Sequence, residues 1–178
     1  MSEQISPSRT DDVVLSVKAK RLATAAHLGQ CDKIGEPYIG HPARVAKAVR
    51  DEGYSDEVEA VAWLHDVVED TAVTLDDLLA HGYPPSVVEA VDAISKRSGE
   101  AFAAYYERVK ANPMALVVKW HDVADNADPR RLAKVAPDTR ERLRAKYEKA
   151  KEQLAWNDKW TDLRETKNAH YNQEVPDV

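Results

Sequence analysis

Apolar residues recur every three or four positions along most of this chain, and a glycine or proline interrupts the pattern at intervals. Between residues 11 and 28, for example, Val14, Val17 and Leu22 fall on one helical face, and Gly29 follows in the position that often ends a helix. The abundant Ala, Leu, Glu, Lys and Arg lose little side-chain entropy in a helix, which favours the same structure. The sequence therefore predicts an all-α fold.

These signals divide the chain into successive helices within a single domain. The 178 residues suit one domain, and neither a repeat nor a linker divides them. We assign residues 11–158 to the helical domain, residues 1–10 to a disordered N-terminus and residues 159–178 to a polar C-terminal tail. Ser55 is a predicted N-cap, and Thr74 with Asp77 resembles a capping box. The predicted helices span residues 11–28, 41–53, 55–70, 74–82, 85–95, 100–111 and 114–126, and two more begin at Asp128-Pro129 and Pro137.

Charge and cysteine content favour a cytoplasmic protein with a small-molecule partner. The net charge of −6 disfavours nucleic-acid binding, which needs clustered Lys and Arg. No apolar run is close to the length of about 20 residues that is needed to span a bilayer, and the N-terminus lacks the pattern of a signal peptide. We therefore expect no membrane association. Cys31 is the single cysteine, so no intramolecular disulfide can form and a reducing compartment is favoured.

Four ionisable residues follow an apolar stretch in the segment VAWLHDVVEDT. His65 and Glu69 are four residues apart, as are Asp66 and Asp70, so each pair should share a face of the predicted helix. The preceding turns are apolar, which indicates that the helix enters a buried region. Unpaired carboxylates are unfavourable there, and a bound divalent cation would remove that penalty.

Two further positions extend this set. His41 stands at a helix start after a glycine-containing loop, and Asp122 lies near the end of another apolar helix. Together with His65 and Asp66 they would offer two imidazoles and two carboxylates, a mixed set that suits manganese, iron or zinc better than magnesium or calcium. Spacing alone leaves a metal site and an ordinary hydrogen-bonded His-Asp pair equally open.

Three motifs make the chemistry more specific. GEPYIGHPARVA, AWLHDVVEDT and VKWHDVADN resemble, in order and spacing, the motifs of the HD hydrolase domain of RelA/SpoT-type alarmone enzymes and of small alarmone hydrolases, over about residues 20–135. The resemblance implies a multi-helix bundle around one central divalent ion, usually manganese, although iron, cobalt or zinc would also fit. It implies that the metal ligands are His41, His65, Asp66 and Asp122.

The resemblance also implies roles for other residues. Glu69 and Asp70 match the acidic pair that activates or orients the attacking water, so we expect them to be catalytic. The implied reaction is removal of the 3′-pyrophosphate from a guanosine tetra- or pentaphosphate, (p)ppGpp, of the stringent response. The expected nucleotide-binding residues are Lys33, Tyr38, Lys119, Asn126 and Arg130.

The sequence departs from the family pattern at two positions. Asp32 stands where the family commonly has an arginine that stacks on the guanine base, and Asp128 stands where it often has another arginine. Both changes disfavour a highly charged guanosine polyphosphate. Two alternatives therefore stay open: a nucleotide phosphatase that acts on a less charged substrate, and a catalytically silent HD module that senses a nucleotide.

Overall fold

The computed structural model describes residues 14–154, and this part of the chain is built from helices. The N-terminus assigned to residues 1–10 and the tail assigned to residues 159–178 lie outside the described residues. Among the described residues, no helix is long and apolar enough to cross a membrane. The helices are α1 (Leu15–Ala26), α2 (Gly40–Asp51), α3 (Asp56–Leu64), α4 (Val67–Asp70), α5 (Leu75–Ala80), α6 (Pro85–Ile94), α7 (Phe102–Ala111), α8 (Pro113–Asn126), α9 (Pro129–Leu132) and α10 (Pro137–Leu154).

Local sequence signals explain several helix ends. Gly29 adopts a φ of 81° shortly after α1, a conformation that side chains other than glycine rarely adopt. Thr74 and Asp77 form the predicted capping box at the start of α5, with the Asp77 backbone N–H donating to Thr74 Oγ1 at 3.1 Å. Ser55 does precede α3, but its side chain makes no capping hydrogen bond, so the expectation of a side-chain cap there was wrong.

The single helix predicted over residues 55–70 is wrong, because the chain breaks it at His65 and Asp66. His65 Nδ1 donates a hydrogen bond of 2.8 Å to the carbonyl oxygen of Ala62, which a continuous helix would offer to the backbone N–H of Asp66. The backbone at Asp66 widens to φ −104° and ψ −5°, and α4 then begins at Val67. His65 therefore ends α3, whereas Asp66 stays in helical register with Asp70, whose backbone N–H donates to the Asp66 carbonyl oxygen at 2.9 Å.

Two groups of buried side chains stabilise the fold on opposite faces of α8. The first core lies among α1, α2, α3, α5 and α6 and includes Val118 of α8 as well as Trp63, which is 6% exposed. The second core lies among α7, α9 and α10 and includes Val123 of α8. Each fully buried Val or Leu stabilises the fold by about 1.5–3 kcal/mol. Helix α8 therefore connects both cores.

Candidate metal centre

Four side chains from three separate parts of the chain converge where α8 faces the break between α3 and α4. His41 Nε2, from the start of α2, lies 3.2 Å from His65 Nε2 and 3.0 Å from Asp122 Oδ1 of α8. His65 Nε2 lies 2.9 Å from Asp66 Oδ2 and 4.0 Å from Asp122 Oδ1. Two donor atoms bound at right angles to one ion at about 2 Å would lie about 3 Å apart. The donor atoms of His41, His65 and Asp66 all lie within 4.8 Å of one another, as the ligands of one ion must, and Asp122 Oδ1 adjoins them through the two histidines.

The histidines direct their Nε2 atoms to this centre. His65 Nδ1 donates to the carbonyl oxygen of Ala62, and His41 Nδ1 lies 2.8 Å from Asp125 Oδ2, so both Nδ1 atoms carry hydrogen. In the neutral rings the two facing Nε2 atoms then carry lone pairs. Burial opposes protonation of His41, but hydrogen bonds with Asp122 and Asp125 outweigh it and raise the pKa to about 9. The centre therefore attracts positive charge, and its donor set fits a divalent cation.

The two carboxylates are held in their charged forms. Burial would raise the pKa of Asp66, but the charge of His65 lowers it well below the ordinary value. Burial would likewise raise the pKa of Asp122, but the positive charge of Lys119 is the main cause that lowers it, far below the ordinary range. Lys119 Nζ lies 2.7 Å from Asp122 Oδ2, and Asn126 Nδ2 donates to Asp122 Oδ1. Both oxygens of Asp122 are thus fixed in orientation.

A cavity of about 480 Å³ opens beside this centre. Glu69 and Asp70 of α4 lie in its wall next to Asp66. Partial burial raises the pKa of Glu69, and Glu69 Oε2 accepts a hydrogen bond of 2.8 Å from the backbone N–H of Lys96. Partial burial and the charge of Asp66 likewise raise the pKa of Asp70. Both carboxylates are therefore more basic than ordinary ones and can accept a proton nearer to neutral pH.

Tyr38 lines the cavity as its predicted role in the nucleotide pocket requires, but its hydroxyl already has a partner. The hydroxyl donates to Asp66 Oδ2 at 2.6 Å and lies 3.3 Å from Asp70 Oδ2. Burial and the nearby carboxylates raise the pKa of Tyr38 far above its ordinary value, so the hydroxyl stays protonated. Tyr38 can therefore orient Asp66 while its ring forms part of the wall.

The structure brings four of the five predicted nucleotide-binding residues to the cavity and leaves the fifth outside. Lys33, Tyr38, Lys119 and Asn126 line the cavity, although Lys119 and Asn126 are hydrogen-bonded to Asp122. Arg130 does not line it: its side chain is 91% exposed and pairs with Asp128 at 2.7 Å. The reason is the start of α9, where Asp128 Oδ1 caps the backbone N–H of Arg130 and turns that residue outward. Arg131 lines the cavity instead.

Sequence reasoning missed Asp125, which supports His41. Asp125 Oδ2 accepts a hydrogen bond from His41 Nδ1. Arg44 donates to the same carboxylate through Nε at 2.7 Å and through Nη2 at 3.0 Å. Burial opposes ionisation, but His41 and Arg44 lower the pKa of Asp125 to about 2. Asp125 follows Asp122 by three residues and so lies on the same face of α8. That spacing was a usable signal in the sequence.

The far wall of the cavity was also missed. It is formed by Tyr106 of α7 and by Leu143, Lys146 and Tyr147 of α10. The amphipathic pattern of α10 predicts a packed helix, but no local signal shows which of its many charged residues faces a cavity. Lys146 lies near Lys33 on the other side of the cavity: burial and the charges of Lys146 and Arg142 lower the pKa of Lys33.

Comparison with known protein families agrees with this geometry. A family model described as "HD domain" matches residues 19–116, more than half of the 178 residues. The chain belongs to the HD domain family. The matched residues of this HD domain include His41, His65 and Asp66, and the family implies a bound divalent metal, which the donor set fits.

Several curated proteins resemble this HD domain over part of their length. A guanosine-3′,5′-bis(diphosphate) 3′-pyrophosphohydrolase of Vibrio cholerae is 47% identical over 75 residues, which cover 42% of this chain and 10% of that protein. A probable enzyme of the same name from Synechocystis is 32% identical over 151 residues, covering 79% and 20%. The bifunctional (p)ppGpp synthase/hydrolase SpoT of Escherichia coli is 34% identical over 137 residues, covering 71% and 19%. The chain thus spans a fifth or less of these relatives.

A solved structure matches almost the whole chain. It is described as a metazoan ortholog of SpoT that hydrolyzes ppGpp, and it superposes with a TM-score of 0.67 over 96% of this chain and 99% of the other, at 20% identity. At this identity the match establishes the fold. The all-α HD-type bundle predicted from the sequence is thereby confirmed.

Proposed function

We propose that this HD domain is a manganese-dependent hydrolase that removes the 3′-pyrophosphate group of guanosine-3′,5′-bis(diphosphate). One observation carries the proposal: two imidazole Nε2 atoms and two charged carboxylates converge beside a cavity whose wall holds Glu69 and Asp70. The nucleotide assignment is supported by the names of relatives that share 32–34% identity over most of this chain. It is also supported by the order of the three motifs.

His41, His65, Asp66 and Asp122 would hold the metal. The mixed imidazole and carboxylate donors favour manganese over magnesium, which binds almost entirely through oxygen. When bound, the ion would lower the pKa of a coordinated water and neutralise charge on the phosphate. Tyr38, Lys119 and Asn126 would keep the two carboxylates in place, since each donates a hydrogen bond to one of them.

Glu69 and Asp70 would accept and transfer the proton of the attacking water. In the proposed reaction the water oxygen bonds to the phosphorus attached to the 3′ oxygen, and the bond from that phosphorus to the 3′ oxygen breaks. The proton of the water passes to Glu69 or Asp70, whose raised pKa values suit this role, and the carboxylic acid so formed gives a proton to the departing 3′ oxygen, which leaves as a hydroxyl. Pyrophosphate and the 5′-diphosphate nucleotide are the products.

The other phosphate groups of the substrate need cationic side chains that are not already paired with a carboxylate. Lys119 pairs with Asp122 and Arg131 pairs with Asp32 at 3.0 Å, so these two cations of the cavity have partners. Lys33 and Lys146 also line the cavity, and burial together with the charge of Lys146 lowers the pKa of Lys33. Two ammonium groups that line one cavity and are near enough for one to lower the pKa of the other form a site for an anion, and we assign the second phosphate group of the substrate to them.

The Asp32–Arg131 pair also supports a second candidate, a phosphatase for a less charged nucleotide. It places a carboxylate at the cavity and occupies the guanidinium that would otherwise be available to a phosphate. A substrate with one phosphate beyond the scissile group would suit Lys33 and Lys146 as well as a diphosphate does.

A panel of nucleotides distinguishes these functions. The full-length protein loaded with manganese would be given guanosine and adenosine nucleotides that carry a 3′-monophosphate or 3′-diphosphate, with and without a 5′-diphosphate. Release of pyrophosphate from guanosine-3′,5′-bis(diphosphate) supports the first function. Release of orthophosphate from the monophosphates alone supports the second. Tight binding without any product would contradict both and would favour the silent sensing module.

A further inference from the structure

Arg131 connects two parts of the cavity that are far apart in the sequence. Its Nη2 donates to Asp32 Oδ2 at 3.0 Å, although the two residues are 99 positions apart in the sequence. Its Nε lies 3.7 Å from Asp125 Oδ2. The side chain is 20% exposed, while Asp32 and Asp125 are each 12% exposed. Its guanidinium thus sits between two carboxylates with limited access to water, where ion pairs are stronger than on an open surface.

Asp32 organises the loop of residues 31–37, which forms one edge of the cavity. Asp32 Oδ1 accepts hydrogen bonds of 3.0 Å from the backbone N–H groups of both Ile34 and Glu36. The Asp32 backbone N–H donates to the Glu36 carbonyl oxygen at 2.8 Å, and Gly35 takes a φ of 80° in the turn. The loop is therefore internally braced around Asp32, and its position depends on what holds that carboxylate.

Asp125, the other carboxylate, fixes a proposed metal ligand. It accepts from His41 Nδ1 at 2.8 Å and binds Arg44 through both oxygens. A continuous chain of contacts consequently runs from the loop through Asp32, Arg131 and Asp125 to His41. The loop carries Lys33, to which we assign a substrate phosphate, so the chain links that phosphate site to the metal centre.

We propose that Arg131 is a positioning residue that holds the loop of residues 31–37 at a fixed distance from His41. The proposal rests on the proposed function only for its effect on the substrate; the positioning itself is a property of the free protein. Arg131 acts on the reacting groups through Asp32 and Asp125, which lie beside its Nη2 and Nε atoms. Removing it should release the loop and misplace Lys33.

A direct substrate contact is the competing role for Arg131, and hydrogen exchange separates the two. We would measure exchange of the amides in residues 31–37 of the substrate-free, full-length protein for Arg131→Gln, Asp32→Asn and the double variant. We expect exchange to be about tenfold faster in each single variant, because hydrogen bonds to charged groups are lost. The double variant should be little faster than either, because both changes remove the same contact.

The matched control is Lys134→Gln. Lys134 lies one turn beyond Arg131, just after α9, and pairs with Glu36 of the same loop at 2.8 Å, but both of these side chains are about half exposed. An exposed pair stabilises little, so loop exchange should stay within about twofold of the unaltered protein. Thermal unfolding of every variant checks that the fold is retained, and Asp32→Asn keeps the test valid if Arg131→Gln fails to fold.

Kinetics complete the test. Arg131→Gln should raise KM for the active nucleotide about fivefold and leave kcat within about twofold, since the groups at the scissile bond are untouched. Unchanged loop exchange together with a raised KM would overturn the proposal and make Arg131 a substrate contact. Faster loop exchange in a protein that hydrolyses none of the nucleotides would sustain the positioning role and reject the proposed function.

Discussion

The two cores of this HD domain are filled by different kinds of side chain. In the first core, Val45, Leu64 and Val118 are 0% exposed, and aliphatic contacts dominate. The second core contains three tyrosines, Tyr105, Tyr106 and Tyr147, which are 4–8% exposed. A buried tyrosine needs a polar partner, and Tyr105 finds one by donating to the Ile94 carbonyl oxygen at 2.8 Å.

The residues of the candidate site also belong to elements of different cores. His41, His65 and Asp66 stand on elements of the first core and lie within the segment that matches the HD domain model, residues 19–116. The cavity wall opposite them belongs to the second core and carries Arg131 and Lys146, which lie beyond that segment. Elements of the first core thus carry three of the four proposed ligands, whereas Asp122 of α8 lies beyond the matched segment, as do Arg131 and Lys146 of the opposite cavity wall.

The largest effect should follow a change at the first-core side of the centre. Asp66→Ala removes one proposed ligand and the acceptor of Tyr38, so we expect bound manganese to disappear and turnover to fall by at least about 1000-fold. Metal content by mass spectrometry and a turnover assay measure both. Asp51→Ala, an exposed carboxylate of α2, is the control and should change neither. Full turnover by Asp66→Ala would contradict the mechanism.

Glu69→Gln should separate proton transfer from metal binding. The metal should be retained while kcat falls about 100- to 1000-fold, the usual range for loss of a general base. A base must be deprotonated to act, so activity of the unaltered protein should fall as pH falls through the pKa of Glu69. Partial burial raises that pKa above 4.5, and the acidic limb of the kcat/KM profile should lie correspondingly higher. If the acidic limb persists unchanged in Glu69→Gln, another group is the base.

Asp125→Asn tests the connection between the two regions. Asparagine can still accept from His41 Nδ1, but it loses the charge that pairs with Arg44 and Arg131. Groups that orient a metal-binding histidine usually contribute about 10- to 100-fold to metal affinity, and we expect a loss in that range. Isothermal titration of the metal-free protein with manganese measures it. An unchanged affinity would mean that the two regions are not coupled through His41.

Lys146→Gln should have the smallest effect and should be confined to the substrate. We expect KM to rise about fivefold with kcat and metal affinity unchanged, because one cation of the second-core wall is lost while the centre stays intact. Lys149→Gln, one turn nearer the end of α10 and outside the cavity lining, is the matched control. Equal KM values for the two variants would remove Lys146 from the phosphate site.

Much of the fold could be predicted because its signals are local. The glycine after α1 and the Thr74–Asp77 capping box depend on neighbouring residues alone, and both were found in the sequence. The break between α3 and α4 was missed. It depends on His65 using its side chain to bond Ala62, and helical periodicity carries no information about that choice.

The candidate site was predictable to the extent that motifs describe it. The motifs identified the four side chains that converge, whereas nucleotide binding was assigned to Arg130 and not to the adjacent Arg131. Only the start of α9, where Asp128 turns Arg130 outward, decides between them. The contacts of Arg131 with Asp32 and of Asp125 with His41 span 99 and 84 residues, so they depend on helix packing that the sequence does not display locally.

The central proposal is that two imidazoles and two carboxylates bind one divalent ion. Anomalous X-ray diffraction from crystals grown with manganese, recorded on both sides of the manganese absorption edge, tests it most directly. We expect a single anomalous peak at about 2.0–2.3 Å from His41 Nε2, His65 Nε2 and an oxygen of each of Asp66 and Asp122. A peak elsewhere, or none at these four side chains in a protein that retains its activity, would contradict the proposal.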